Sequence, residues 1–576
     1  MESELPHTAL SAGLLEQGPQ RHRRAPLVAF LAAAASATLL AVLLAGIGSD
    51  SVPSADRDGS VAMAALDEGP FPQGDIDVHD FPFVYVVLGP GGRPLARAIV
   101  SDSDSCPSIH LYDAPAPVVR VRAVGQSAAG DAEDPHDFPV KVCEAELPKE
   151  TRGGTWGGRP LPLLTIHPVR YALVGDSGLR VKPKNDGTCR KFADKKDELY
   201  GLPVCEETGP FDPSLVKGDF QALDNWGMRA VFEAAARTNP HLVIHVGDML
   251  YRQGPCAQDK GCEAINPDRL WGDTWRGWAT DLFIPARSLL EAAPWVVVRG
   301  DHETCPRGGF GWFLFLDPSP YPDGVVGGHY CKTVTNAYEI PLLTQKLIVL
   351  DDSIVKPLGG QTGDWGGDDT PCLGGSVAYP RSRFDDPSQR PEDIEADLAH
   401  FAKQFALVRK AAEEFDQNIY ISHRPLFGIA CNGTDYVTLD WTMQTAARSV
   451  PGSLDRISLA IAGHMHWFQE IEWEKHGHPT QLVIGNSGTK LIHNTVRNES
   501  YYNGSLNVRG QWISRGWTTP NFGFVVLQRN GNGDQHSATP NFVHADGTAT
   551  QDLGTIVMPR FSVRAKQSAA RANTVA

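Results

Sequence analysis

Basic character is the first thing this 576-residue chain lacks. Asp and Glu outnumber Lys and Arg 68 to 52, which leaves a formal charge of −16. Nucleic-acid and anionic-membrane surfaces need clustered basic side chains, so no nucleic-acid partner is expected. An acidic chain also repels phosphate, and a phosphate site here would need a metal to supply positive potential. The ten cysteines include no Cys-x-x-Cys pair, which discounts a thiolate metal site. No internal repeat is present. What the chain has is length enough for two folded units and, at 41% hydrophobic residues, material for a core.

Charge is absent altogether from residues 25–48. As a helix this run would span roughly 36 Å, against a hydrocarbon core of about 30 Å. Arg21, Arg23 and Arg24 precede it, while Asp50, Asp56 and Asp58 follow. The positive-inside bias then makes residues 1–24 a cytoplasmic tail and places everything after Gly48 outside, periplasmic or extracellular. The run exceeds a usual signal-peptide core, so an uncleaved transmembrane signal-anchor is expected. The alternative is cleavage at Gly46-Ile47-Gly48 and secretion. All ten cysteines lie beyond the run, as suits an oxidising compartment. Nearest-neighbour pairing would join Cys106 to Cys143, Cys189 to Cys205, Cys256 to Cys262, Cys305 to Cys331 and Cys372 to Cys431. Spacing alone leaves other connectivities open.

Residues 49–75 are rich in Asp, Gly, Pro and Ser and read as a flexible linker. Over 76–166, short β-branched runs separated by Gly, Pro and Asp predict a small antiparallel β-rich domain. From 167 to about 530, apolar strands alternate with helical stretches over 220–237, 276–292 and 391–414, the pattern of an α/β domain. Residues 531–576 are expected to be a C-terminal extension and tail.

Five short motifs in the α/β part carry the chemistry. They are Gly175-Asp176-Ser177-Gly178, Gly247-Asp248-Met249-Leu250-Tyr251, Gly300-Asp301-His302-Glu303, Ser422-His423-Arg424 and Gly463-His464-Met465-His466. Each follows a predicted strand (171–174, 242–246, 295–298, 419–421 and 459–461), the place where open α/β sheets carry their sites. Three carboxylates, one phenol and three imidazoles are the donors that hold two adjacent transition-metal ions. Such a pair is a device for displacement at phosphorus.

In that order the motifs resemble those of the calcineurin-like metallophosphoesterases, and within them the purple acid phosphatase-like branch. The resemblance covers about residues 169–527. Most of the superfamily carries a His two residues after the first Asp, where this chain has Gly178. The purple branch compensates with a Tyr three residues after the second Asp, and Tyr251 stands there. The fold class implied is α/β (α+β): a four-layer αββα sandwich, here preceded by the β-rich domain and the anchor. By resemblance, Asp176, Tyr251 and His466 hold the first metal, Asp248 bridges, and His423, His464 and Asp301 complete the second site. The cofactors implied are Fe(III), favoured by tyrosinate, and a divalent Zn, Fe or Mn, about 3.5–4 Å apart. A shared, deprotonated water would attack phosphorus in line. His302 resembles the family's non-ligand histidine, which steadies phosphate oxygens or protonates the leaving alkoxide. Arg252 and Arg424 follow ligands directly and could reach a phosphate, although surface ion pairs explain them equally.

The third motif departs from the family's Gly-Asn-His by carrying Asp301. The extra carboxylate lowers the positive charge of a filled centre from about +2 to about +1, which predicts slower turnover or a changed metal preference. The function expected is an anchored, exported phosphohydrolase of phosphate monoesters, acting on a small-molecule or macromolecular substrate. A phosphodiesterase of nucleotides or lipid headgroups would share every ligand. A surface binding protein with weakened catalysis is the rival from another class. Trp271, Trp275 and Trp278 read as a packing face, and His245, His329, His400 and His493 as structural.

Overall fold

The computed structural model describes residues 83–123, 138–178, 227–251, 273–322, 330–355, 391–431, 436–438, 441–474, 478–489, 491, 500–508, 511–529, 536–543, 549–551 and 556–557. All belong to one unit, Pro70–Ala576. The apolar run at 25–48 lies outside the described residues. Among those that are described, no helix is long and apolar enough to cross a membrane.

Two mixed sheets organise the fold. Three parallel strands, Arg170–Val174, Leu242–His245 and Trp295–Val297, form the middle of an 11-stranded sheet. Three more, Asn418–Ile421, Ile457–Ala462 and Thr480–Ile484, form the middle of an 8-stranded sheet, continued by Lys346–Val349. Every second residue of these strands faces the other sheet. Leu173, Ile244 and Val296 meet Val349, Ile421 and Ile461 in one shared core. The alternate residues face helices. Ala172, Val174 and Val243 pack under the helices Met228–Arg237 and Arg287–Ala292, and Ile348, Tyr420 and Ala460 pack under Pro391–Ala411 and Trp441–Ser449. Burial on both faces explains why the strands read as continuous apolar runs. The result is the expected helix–sheet–sheet–helix layering. Trp275 and Trp278 do pack inward, and Trp271 lies outside the described residues.

The β-rich stretch is organised differently from the separate domain expected over 76–166. Its first strand, Phe83–Gly89, pairs in parallel with Trp295–Val297. Arg93–Ser101, Val140–Glu146 and Val119–Ala123 then extend the large sheet to its edge. Among the described residues of this stretch, three short strands, Ile109–Leu111, Gly154–Trp156 and Arg159–Pro160, form a sheet of their own. A buried ionic cluster pins the extension in place. Arg97 donates to the carbonyls of Phe315 and Asp317 at 2.6 Å each, and Arg122 donates to those of Phe313 and Ser319 at 3.1 and 2.6 Å. Both guanidiniums pair with Glu144, at 2.8 and 2.7 Å. They satisfy carbonyls left over at the end of the helical turn Trp312–Leu316, where cations are favoured. The boundary at 530 moves too, because His536–Val543 pairs antiparallel with Gly523–Arg529 in the same sheet. Periodicity shows that a segment is a strand. It does not show which sheet the strand joins.

Candidate active site

All five motifs lie just past the carboxyl ends of parallel strands, three on the large sheet and two on the smaller one. The site therefore straddles the line where the two sheets face each other. Asp176, Asp248 and His464 adopt positive φ of 52°, 57° and 69°; Asn239 is the only other non-glycine residue described with positive φ. Left-handed backbone costs about 1–2 kcal/mol per residue, and hydrogen bonds hold it here. Asp176 and Ser177 donate their N–H groups to the carbonyls of Gly247 and Asp248, both at 2.9 Å, and His464 donates its own to Asp176 Oδ2 at 2.8 Å.

Two groups of side chains share one carboxylate. The Tyr251 hydroxyl lies 3.2 Å from Asp176 Oδ1, 3.0 Å from His466 Nε2 and 3.1 Å from Asp248 Oδ2. On the other side, His423 Nε2 lies 3.3 Å from the same Asp248 Oδ2 and 3.2 Å from Asp301 Oδ1. His464 Nδ1 is 3.1 Å from Asp301 Oδ1. Asp248, Asp301, His423 and His464 each present a donor atom, all within 4.8 Å of one another. The seven residues expected to hold metal are thus brought together, with Asp248 between the halves.

Gly178 leaves room for the Met249 carbonyl and the phenol ring. A Cβ at Gly178 would stand 2.9 Å from the Tyr251 ring and 2.5 Å from the carbonyl oxygen of Met249, so a side chain there and the Tyr251 ring compete for one space. Gly300 is required for another close approach, since a Cβ would fall 2.2 Å from Asp248 Oδ1. The glycine before that ligand makes room for a neighbouring carboxylate as well as a turn.

The electrostatics call for cations. Burial, with the charge on Asp248 adding to it, pushes the Asp176 carboxyl well above its usual range. Although burial disfavours an imidazolium, Asp248 and Asp301 outweigh it and hold His423 well above the usual imidazole range. His423 Nδ1 lies 2.8 Å from the carbonyl oxygen of Val246. Donating there, it leaves Nε2 as the nitrogen turned toward the carboxylates, where a bound metal would replace its proton, the arrangement a metal ligand needs. Three clustered carboxylates facing three imidazoles and a phenol fit a two-metal centre.

The side chains that hold the ligands in place are not evident from the motifs. Glu303 accepts four backbone N–H bonds, from Asp248, Met249, Leu250 and Gly300, at 2.8–3.0 Å. Asp352 accepts from the N–H groups of His423 and Arg424, both at 3.0 Å. Arg307 donates to Asp301 Oδ2 at 2.8 Å and to its carbonyl at 2.9 Å, and reaches the His302 ring nitrogens at 2.7 and 2.9 Å. Its signal was its place in Cys305-Pro306-Arg307, directly after the third motif. His302 sits against the Tyr251 ring with Nε2 4.0 Å from Asp248 Oδ2. Arg424 stands 4.0 Å from Asp301. Arg252 lies outside the described residues.

Arg307 changes the expectation attached to Asp301. The extra charge of Asp301 is paired with the Arg307 guanidinium, so the two residues should be read together. Arg307→Ala is expected to lower kcat/KM about tenfold more in the parent than in Asp301→Asn, a coupling typical of contacting charges. Equal losses in both backgrounds would show that the pair is not coupled.

His245, read as structural, is buried beneath the first two motifs. Nε2 lies 2.9 Å from Ser177 Oγ, and Nδ1 accepts from the N–H of Gly247 at 3.2 Å. Burial, with the charge on His423 adding to it, lowers its pKa from 6.5 to about 3. Below pH 6.5 the unfolded chain takes up a proton that the folded chain refuses, so stability falls as pH drops from 6.5 toward 3. The limit is on the order of 5 kcal/mol. In metal-depleted protein, His245→Gln should flatten the Tm profile between pH 7 and pH 4. A slope matching the parent's would assign the acid sensitivity to other groups.

Cys106–Cys143 and Cys305–Cys331 are disulfides, as nearest-neighbour pairing predicted. The second closes the loop that carries Arg307. The pairs Cys189–Cys205, Cys256–Cys262 and Cys372–Cys431 fall at least partly outside the described residues, as do His329 and His493.

Fold and site together define a two-sheet phosphoesterase with a paired Asp/His centre. Residues 213–468 match the calcineurin-like phosphoesterase family model. That part of the chain is a calcineurin-like phosphoesterase domain, and the chain is a metal-dependent phosphoric ester hydrolase. Its structure is similar to a purple acid phosphatase, PPD1, from yellow lupin (Lupinus luteus) seeds, with 11% identity, 82% of this chain and 73% of that one covered, and a TM-score of 0.43. It is also similar to PhoD, with 9% identity, coverage of 82% and 88%, and a TM-score of 0.39. A third likeness is to GAP50, the anchor in the inner membrane complex of Plasmodium, with 13% identity, coverage of 68% and 89%, and a TM-score of 0.30. No match was found among curated protein sequences.

Proposed function

We propose that this chain is an exported phosphomonoesterase of the purple acid phosphatase-like branch, anchored through residues 25–48. The observation that carries the branch is the Tyr251 hydroxyl, set among Asp176, Asp248 and His466 in space that Gly178 leaves open. Asp176, Tyr251 and His466 would hold one ion, Asp301, His423 and His464 the other, and Asp248 both. Phenolate favours Fe(III) in the first position, with Zn, Fe or Mn in the second. When bound, the pair supplies an activated water and neutralises charge on the transferring phosphoryl group.

The chain's own residues do the rest. Asp248 keeps the two halves in register. His302, beside Asp248 and Tyr251, is placed to hold a phosphoryl oxygen or to protonate the leaving alkoxide. Arg307 and Arg424 bring positive charge to the Asp301 side, which suits a dianionic monoester better than a monoanionic diester. Two disulfides in the described residues support export.

The test is hydrolysis of an aryl phosphomonoester and the matching diester by the full chain supplied with Fe and Zn or Mn. Faster monoester turnover is expected. With iron bound, phenolate-to-Fe(III) absorption in the visible should disappear in Tyr251→Phe. Faster diester turnover would transfer the function to the phosphodiesterase reading, and an unchanged spectrum would remove Tyr251 from the metal.

A further inference from the structure

Thr480–Ile484, the parallel strand beside the one that carries the fifth motif, ends in Gly485-Asn486-Ser487-Gly488-Thr489. None of the seven assigned donors lies in that loop, yet it reaches from the smaller sheet to the first motif on the larger one. Ser487 donates its N–H to the Gly175 carbonyl at 3.2 Å, and Thr489 donates its own to the Asp176 carbonyl at 2.8 Å. The Ser487 hydroxyl accepts the Gly175 N–H at 3.1 Å and donates to the Gly523 carbonyl at 2.9 Å. A Cβ at Gly488 would stand 2.4 Å from the carbonyl oxygen of Ser177, so the loop lies against the motif at backbone distance.

These bonds replace a rung of the large sheet. Gly523–Arg529 pairs antiparallel with Arg170–Val174, with Val525 opposite Leu173. Continued by two residues, that register sets Gly523 opposite Gly175. Arg529 donates its N–H to the Val169 carbonyl at 2.8 Å, and hydrogen-bonded pairs alternate along an antiparallel ladder. Gly175 and Gly523 would therefore exchange both of their backbone bonds. Instead Asn486 and Ser487 stand between them. Gly175 bonds Ser487 through both its N–H and its carbonyl, while Gly523 gives its N–H to the Asn486 carbonyl at 2.9 Å and receives the Ser487 hydroxyl. The strands are held apart where the first motif begins, and the next residue, Asp176, takes its left-handed turn at φ 52°. Ser487 is fully buried and its hydroxyl proton is already given to Gly523, so it acts on the site through Asp176 rather than by touching a substrate.

We propose that Ser487 is a positioning residue for Asp176, keeping the first-motif loop off the end of the ladder so that the Asp176 carboxylate faces Tyr251 and His466. Asp176 Oδ1 lies 3.2 Å from the Tyr251 hydroxyl and 3.6 Å from His466 Nε2. Without the Ser487 hydroxyl, the Gly175 N–H and the Gly523 carbonyl either stay buried and unpaired or close on each other as an ordinary rung. Both results displace Asp176, the residue after Gly175. The proposal rests on the assignment of Asp176, with Tyr251 and His466, to one ion.

The full chain supplied with iron and zinc tests it. Ser487→Ala is expected to release iron to EDTA about tenfold faster than the parent, read from the visible phenolate absorption, and to lower kcat on an aryl phosphomonoester about tenfold with KM little changed. Ser453→Ala removes another buried hydroxyl, which donates to the Ala447 carbonyl at 2.9 Å beyond the helix Trp441–Ser449. It should match the parent in both readouts, which a general loosening of the fold would not allow. Ser487→Cys fills the same space with a weaker hydrogen-bonding group. It should show the same losses to a smaller degree, and it carries the test if Ser487→Ala does not fold. Parent values of iron release and kcat in every Ser487 variant that folds overturn the proposal alone, as do equal losses in Ser453→Ala. A parent without absorption that Tyr251→Phe removes overturns the assignment of the ion, and the proposal with it.

Discussion

Asp248→Ala is expected to lower kcat by at least about a thousandfold and to leave the purified chain with one metal ion or none. Its Oδ2 is the atom within 3.1 Å of the Tyr251 hydroxyl and 3.3 Å of His423 Nε2. Its Oδ1 accepts the His302 N–H at 3.0 Å, so truncation also loosens the residue best placed to meet the substrate. In the proposed assignment every other ligand would serve one half only, so its loss should leave the second half able to bind. Asp248→Asn keeps the shape and removes the charge, which separates loss of the centre from loss of the fold. Metal analysis and turnover are to be read together. Two ions retained in Asp248→Asn, with a rate within tenfold of the parent, would sink the bridging assignment.

Glu303→Ala should be the most destabilising single change near the site, on the order of 4 kcal/mol or more. The carboxylate takes four backbone N–H groups from two loops. Removing it strands four buried donors, each worth about 1–3 kcal/mol when left unmade. Three of those donors belong to Asp248, Met249 and Leu250, so the loop leading to Tyr251 loses its support as well. Glu303→Gln keeps one oxygen but turns an NH2 group against two N–H donors, and about half the loss is expected. Denaturant unfolding of the metal-free chain isolates this effect from ligand binding. A Glu303→Ala variant within about 1 kcal/mol of the parent would mean that water replaces the carboxylate and that the loops hold themselves.

The candidate ligand set could be proposed from the sequence because most of its residues stand just past an apolar strand, and both features are local. Asp176, Asp248, Asp301, His423 and His464 could be read this way, and Tyr251 through its spacing from Asp248. Glu303 has no role legible in its motif, since three of its four partners are backbone groups 53–55 residues earlier in the chain. Arg307 was visible as a residue and silent as a partner of Asp301. His245 looked structural and is, but only its contacts with Ser177 and Gly247 show that it braces two motif loops.

Strands, helices and the order of donors follow from the sequence alone, because apolar alternation and strand-end glycines are written in consecutive residues. Which sheet the strands Phe83–Gly89, Arg93–Ser101, Val119–Ala123 and Val140–Glu146 would join was decided by tertiary structure, through one parallel pairing with Trp295–Val297 and the guanidiniums of Arg97 and Arg122. The same holds for the pairing of Asp301 with Arg307, the room that Gly178 leaves for Tyr251, and the Ser487 hydroxyl set between Gly175 and Gly523. Each depends on distances between segments remote in sequence, and such distances exist only once two sheets have packed face to face.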